Sequence, residues 1–240
     1  MDITKFYFQQ GKERYVPLGF RRIRQTYARI VNDVLQTFTF KRYSSGCECT
    51  VIFGIYPLCQ DITYPDFGLY DLCCFGSSVC DDGRWNYDRN SEISINDCVD
   101  SICSHIDRYL IPLFAEANCS TKALPALIAL DEDNEKKRQI NLLRKGRKDP
   151  REFDWRYYSM LRTEKFYMAV KCGQYDYARE VAKVQMPNRR PKDQNVYQSI
   201  IDHLDAGNIE CIESILHERE KESLKNLEEY RLKPITNYEK

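Results

Sequence analysis

Histidine is scarce in this sequence: His105, His203 and His217 are the only three in 240 residues. None stands beside a Gly-x-Ser-x-Gly elbow or a cysteine-protease signature, which removes the usual nucleophile–base pairings. Neither Gly-x-x-x-x-Gly-Lys nor Gly-x-Gly-x-x-Gly occurs, so the chain has no glycine-rich loop of the kind that cradles phosphate. No apolar run approaches the roughly 18 residues of a membrane span. The opening MDITKFYFQQGKERYVP lacks the basic, apolar and small-residue succession of a secretory signal. A cytoplasmic protein without a membrane partner is therefore expected. Net charge is missing too, since 36 Lys and Arg balance 36 Asp and Glu. No overall field draws the molecule to nucleic acid, so such a partner is not expected.

What is present is enough to fold: 42% of residues are hydrophobic and 12% aromatic. Charge is uneven along the chain. Residues 1–45 carry nine basic and three acidic residues, and residues 46–124 carry four and twelve, so the two segments are expected to lie against each other in one domain. Eleven cysteines, an odd number, are expected to be thiols in a reducing compartment. The Asn118-Cys119-Ser120 triplet is then a chance match to a glycosylation acceptor.

The first half reads as sheet with flanking helices. Phe20 to Ile30 and Asp33 to Arg42 are rich in β-formers, with Val34, Gln36, Phe38 and Phe40 on one strand face and a turn at 31–33. Ser44-Ser45-Gly46 is expected to be a hairpin loop from which Cys47 starts a third strand. Further strands are expected at Leu69 to Phe75 and, as a short edge, at Arg84 to Tyr87. From Ser94 the period changes to that of a helix. Ile95, Cys98, Val99, Ile102, Ile106, Tyr109, Leu110 and Leu113 form its stripe, Ser94 and Asp97 resemble a capping box, and Pro112 ends or kinks it. TKALPALIAL suggests a second short helix or extended run.

The organisation this implies is an α+β domain over residues 1–130, a charged linker or helix over 131–152, an all-α helical-hairpin region over 153–232 and a tail over 233–240. Within the third part FYMAVKCGQYDYAREVA and IIDHLDAGNIECIESIL align without a gap at a spacing of 34 residues, placing Gly173 on Gly207 and Tyr175 on Ile209. The period resembles the tetratricopeptide repeat, a helix–turn–helix unit, without its tryptophan signature.

Cysteine spacing argues against zinc. Only Cys98 and Cys103 have a suitable separation, and in a helix five residues turn them roughly 140° apart. Cys47 and Cys49 instead extend the row Val51, Phe53, Ile55 on one strand face; the alternative is that Cys47, Cys49, Cys59, Cys73, Cys74 and Cys80 converge on a metal in three dimensions. A metal nuclease built from Asp66, Glu135 and Lys137 fails because Glu135 stands in a charge-dense polar stretch rather than on a sheet strand. No metal, cofactor or catalytic residue is expected.

The segments LGFRRIRQTYARI, DVLQTFTFKRYSSGCECTVIFGIYP and SINDCVDSICSHIDRYLIPLF, in that order, resemble the uncharacterised bacterial family called domain of unknown function 4304. The matching features are Gly19-Phe20 with Tyr27, Gln36, the run Thr50 to Ile55, and Ile111-Pro112, over about residues 1–125. The resemblance implies an antiparallel sheet backed by helices and carries over no catalytic residue. The expected function is a non-enzymatic protein-interaction or accessory role, with immunity as an analogy. Arg21, Arg22, Arg24, Tyr157 and Tyr175 are the candidate contacts to an unknown protein partner. The alternative is an enzyme or nucleic-acid-acting protein with a basic cleft formed by Arg21, Arg22, Arg24, Lys41 and Arg42.

Overall fold

The computed structural model describes residues 2–65, 68–72, 84–144, 162–188 and 191–235. Helix α1 (Ile3–Tyr15) is capped by Asp2, whose carboxylate accepts from the Thr4 N–H. It ends where Pro17 and Gly19 turn the chain. Gly19 has φ +83°, and a Cβ there would lie 2.4 Å from the Ile235 side chain, so the turn needs glycine twice over.

Strands β1 (Arg21–Ile23), β2 (Thr26–Val31), β3 (Val34–Arg42), β4 (Glu48–Pro57) and β5 (Tyr70–Asp71) follow in sheet order, each antiparallel to its neighbour. The first expected strand is thus two, broken where Arg24 takes φ 54°. Asn32, at φ 51°, closes the next hairpin, as asparagine's short polar side chain allows. The third strand starts at Glu48, one residue after Cys47. Strand β6 (Trp85–Asn86) pairs β4, and β7 (Pro234–Ile235) runs parallel to β2. The expected strand from Leu69 begins at Tyr70; its part beyond Leu72 lies outside the described residues.

Alternation along β3 and β4 sends Val34, Phe38, Phe40, Cys49, Val51, Phe53 and Ile55 into the main core with α1 and the helix after β6. Leu35 and Tyr56 point the other way, into a smaller cluster with Leu227 and Leu232. The sheet is covered on both faces, so a register slip of one residue would exchange the two sets.

Helix α2 (Glu92–His105) starts two residues before Ser94. Ser91 is its N-cap, accepting from the Ser94 N–H, while the Ser94 hydroxyl accepts from the Asp88 N–H. A π turn over Ile106–Leu110 then leads into α3 (Ile111–Glu116), with the Ile111 N–H bonded back to the Ile106 carbonyl. Pro112 offers no N–H, and its ring would crowd the carbonyl four residues back; the extra residue in the turn relieves this without ending the helical path. TKALPALIAL belongs to a long helix, α4 (Ser120–Arg144), which continues into the charge-dense stretch.

Two hairpins complete the chain: α5 (Thr163–Lys171) with α6 (Tyr175–Gln185), and α7 (Pro191–Asp205) with α8 (Ile209–Glu228). Their turns repeat bond for bond. Gln174 and Asn208 donate to the Ala169 and His203 carbonyls at 2.9 and 2.8 Å, Gly173 and Gly207 to Val170 and Leu204 at 3.2 Å each. Both glycines take left-handed φ, the Schellman geometry that terminates a helix. A polar face of α8 docks on the turn after β4: Arg219 donates to the Cys59 and Gln60 carbonyls, Ser223 accepts from the Ile62 N–H, and Asn226 donates to the Ile62 carbonyl. Their spacing of four and three residues puts all three on one helix face. One apolar cluster runs from Ile3 through the sheet to Leu216.

Candidate functional site

The arginines singled out in the sequence sit on or just after β1. Arg21 and Arg22 are exposed at the sheet edge, where charge discourages strand pairing. The Arg22 guanidinium lies 3.7 Å from the centre of the Phe8 ring and donates to the Arg24 carbonyl; Arg24 lies 5.7 Å from the Tyr64 ring. Arg42 pairs with Asp2 at 3.0 Å. None of these, nor Lys41, lines the two clefts described below. The buried arginine of this basic segment is a different one. Arg29 donates to Gln36 Oε1 at 2.8 Å and to the Leu18 carbonyl, and Gln36 donates to the Phe114 and Ala117 carbonyls at the end of α3. Gln36 therefore serves packing, satisfying two terminal helix carbonyls.

Half of the eight described cysteines are interior. Cys49, Cys59, Cys98 and Cys103 are buried. Cys49 and Cys98 stand 3.9 Å apart, sulfur to sulfur, and that hydrogen bond holds the Cys98 thiol below its ordinary range despite burial. Burial pushes Cys59 up to about 12 and Cys103 up to about 11, so neither is a ready nucleophile. Among the described residues no three His, Cys, Asp or Glu side chains are grouped to hold a metal ion. Cys73, Cys74, Cys80, Asp66 and Tyr157 lie outside the described residues, as do the side chains of Glu135 and Lys137.

Tyr175 opens α6 at the edge of a groove of about 280 Å³ between the two helical hairpins. Val170, Tyr175, Ile209, Ile212 and Leu216 supply its apolar lining. Residues 175 and 209 are equivalent in the 34-residue repeat, and the groove is lined by the end of α5, the first residue of α6 and one face of α8. Lys171 and Glu220 line it as well, and here the sequence had been silent. Lys171 donates to Asp33 at 2.8 Å and to Glu220 at 3.0 Å, tying the β2–β3 turn to α5 and α8. Burial alone would push the Asp33 carboxyl up; hydrogen bonds from Lys171 and from the Ser120 N–H bring it below the usual range. One cation between two carboxylates leaves a net negative charge. Glu213 adds a second at the rim, exposed and without an ion pair among the described residues, beside exposed His217. The groove thus offers apolar contact beside negative charge.

A buried ionic pair went unrecognised in the sequence. Asp131, the first residue of the charge run, and Lys165 on α5 bind each other at 1% and 0% side-chain exposure. Its signal was present: Leu124, Leu127 and Asp131 continue one helical stripe. Among the described residues no helix is long and apolar enough to cross a membrane. No family model matches the chain, and no curated protein or solved structure matches it either.

Proposed function

We propose that this chain is a non-enzymatic accessory protein of the uncharacterised bacterial kind its N-terminal motifs resemble, and that it binds a partner polypeptide through the groove between its helical hairpins. The observation that carries this reading is the pairing of an apolar lining, Tyr175, Ile209, Ile212 and Leu216, with the carboxylate of Glu213, unpaired among the described residues. The complementary partner segment has an aliphatic or aromatic anchor beside Lys or Arg. Arg22 is engaged with Phe8 and the Arg24 carbonyl, and Arg24 lies over Tyr64; that neither lines the hairpin groove or the second cleft favours the groove over the basic-cleft alternative.

Peptide display against the full chain tests the proposal. Selected peptides should share an apolar anchor next to a basic residue. Ile209→Asp and Glu213→Lys should each weaken their binding about tenfold, the loss of one well-placed contact. Selection of acidic peptides, or binding untouched by both substitutions, would overturn it.

A further inference from the structure

A second cleft, of about 210 Å³, lies between the turn after β4 and the first turn of α5. It is separate from the hairpin groove and shares no lining residue with it. Gln60, Asp61, Ile62, Leu69, Arg162 and Glu164 are the lining residues that matter.

Its polar side sets two unpartnered buried acceptors beside the Arg162 guanidinium and the Tyr56 and Thr163 hydroxyls. Glu164 is 2% exposed, and its Oε1 has no hydrogen-bond partner; Gln60 Oε1 is buried in the same condition. Asp61 adds a carboxylate held in place by a left-handed backbone at φ 69° and by Arg219 at 3.8 Å. A non-glycine residue in that conformation is kept there by its surroundings, a feature that recurs at binding sites. Buried acceptors left unsatisfied are costly, and two in one cleft ask for a donor-rich occupant. Arg162, the cationic side chain lining the cleft, donates to the Leu69 carbonyl at 2.8 Å and lies over the Tyr70 ring. Lys165, next to Glu164 in sequence, is engaged with Asp131.

We propose that this cleft binds the ammonium head of a primary alkylamine, with its methylene stem along Ile62 and Leu69. An ammonium carries three donors and no acceptor, which suits Glu164, Gln60 and Asp61 together. Water also donates to two acceptors, but it has no use for the apolar wall. A proton accompanies the exchange. Burial pushes the Glu164 carboxyl up, against the opposing pull of Lys165, of its own backbone N–H and of Arg162. A cation arriving beside it favours the carboxylate, so amine binding near the pH of half-protonation releases a proton. The charged and titratable groups that act on Glu164 are Lys165, Arg162, Asp131 and Tyr177, with Asp61 in the same cleft. The same chemistry is carried by a free diamine and by a lysine side chain.

Calorimetric titration of the full chain with 1,5-diaminopentane, with a lysine capped at both backbone ends, and with pentanol tests the proposal. Repetition in two buffers of different ionisation enthalpy reads proton release. Saturable binding of either amine with pentanol inert is the expected result. Binding of the capped lysine would identify a polypeptide side chain as the source, and binding of the diamine alone a free amine. Glu164→Gln should weaken amine binding about tenfold, the weight of one charge-assisted hydrogen bond, and abolish the proton release. Gln60→Ala, on a partly exposed turn, should weaken binding with the fold undisturbed, and it provides the test if the Glu164 variant does not fold. Equal response to pentanol and amines, no response to either amine, or amine binding unchanged by both substitutions would show that the cleft holds water only. Ile209→Asp leaves this site intact, so the two proposals fail independently.

Discussion

Replacing Lys165 by Met and Asp131 by Leu, separately and together, probes the most buried charges among the described residues. The two side chains are 0% and 1% exposed and bind each other between α4 and α5. Burial pulls the Lys165 ammonium below its ordinary range, and Asp131 restores only part of the loss. Each single substitution takes from the opposite buried charge its ion-pair partner, at a cost of about 3–5 kcal/mol. Set against the roughly 5–15 kcal/mol that holds a typical domain together, that is a large fraction. With a urea dependence near 2 kcal/mol per molar, the unfolding midpoint should fall by about 1.5–2.5 M for either single variant. The double variant should recover most of this, because replacing a buried pair by apolar groups of similar volume is about neutral. Urea unfolding followed by far-ultraviolet circular dichroism measures all four proteins. A Lys165→Met variant within about 1 kcal/mol of the parent would refute the burial of Asp131. A double variant no more stable than the worse single would refute the claim that the pair's role is mutual neutralisation.

The Lys171 bridge gives a pH test. Asp33 is held below the ordinary carboxylate value of 3.8, so the stability it contributes is complete above that value and lost as pH falls through its lower folded value. Lys171→Met should lower stability at neutral pH by about 1–3 kcal/mol, discounted for groups that are about a fifth exposed. It should also flatten the acid limb of the unfolding curve below pH 3.8; an unchanged limb would rule the bridge out. The hairpin turns give a backbone test: Gly173→Ala and Gly207→Ala have open space around the new methyl and φ of +70° and +67°. Each should cost about 1–2 kcal/mol from left-handed strain alone, measured by urea unfolding, and Asn at the same positions should cost less.

Much of the fold was legible because its signals are local. The alternation Val34, Phe38, Phe40 and Cys49, Val51, Phe53, Ile55 depends only on the two-residue pleat and puts Cys49 in the core, while Cys47, one residue before the strand, is half-buried. The matched turns at Gly173 and Gly207 likewise follow from helix termination at a fixed spacing. The cap of α2 is Ser91, three residues before the expected Ser94, and the contact with Asp88 gives the two serines different tasks. Tyr175, singled out in the sequence, lines the groove; the Lys171 bridge to Asp33 and Glu220 is not legible there, because the partners lie 138 and 49 residues away along the chain.

The sequence alone therefore determined the fold class, the strand faces and the 34-residue echo, each a matter of backbone period. Only the tertiary structure decided which charges are interior. Arg29, Asp131, Glu164 and Lys165 look in sequence like any other charged residues on a strand or helix. Their burial depends on which distant element covers each one, and so on long-range packing that no local period encodes.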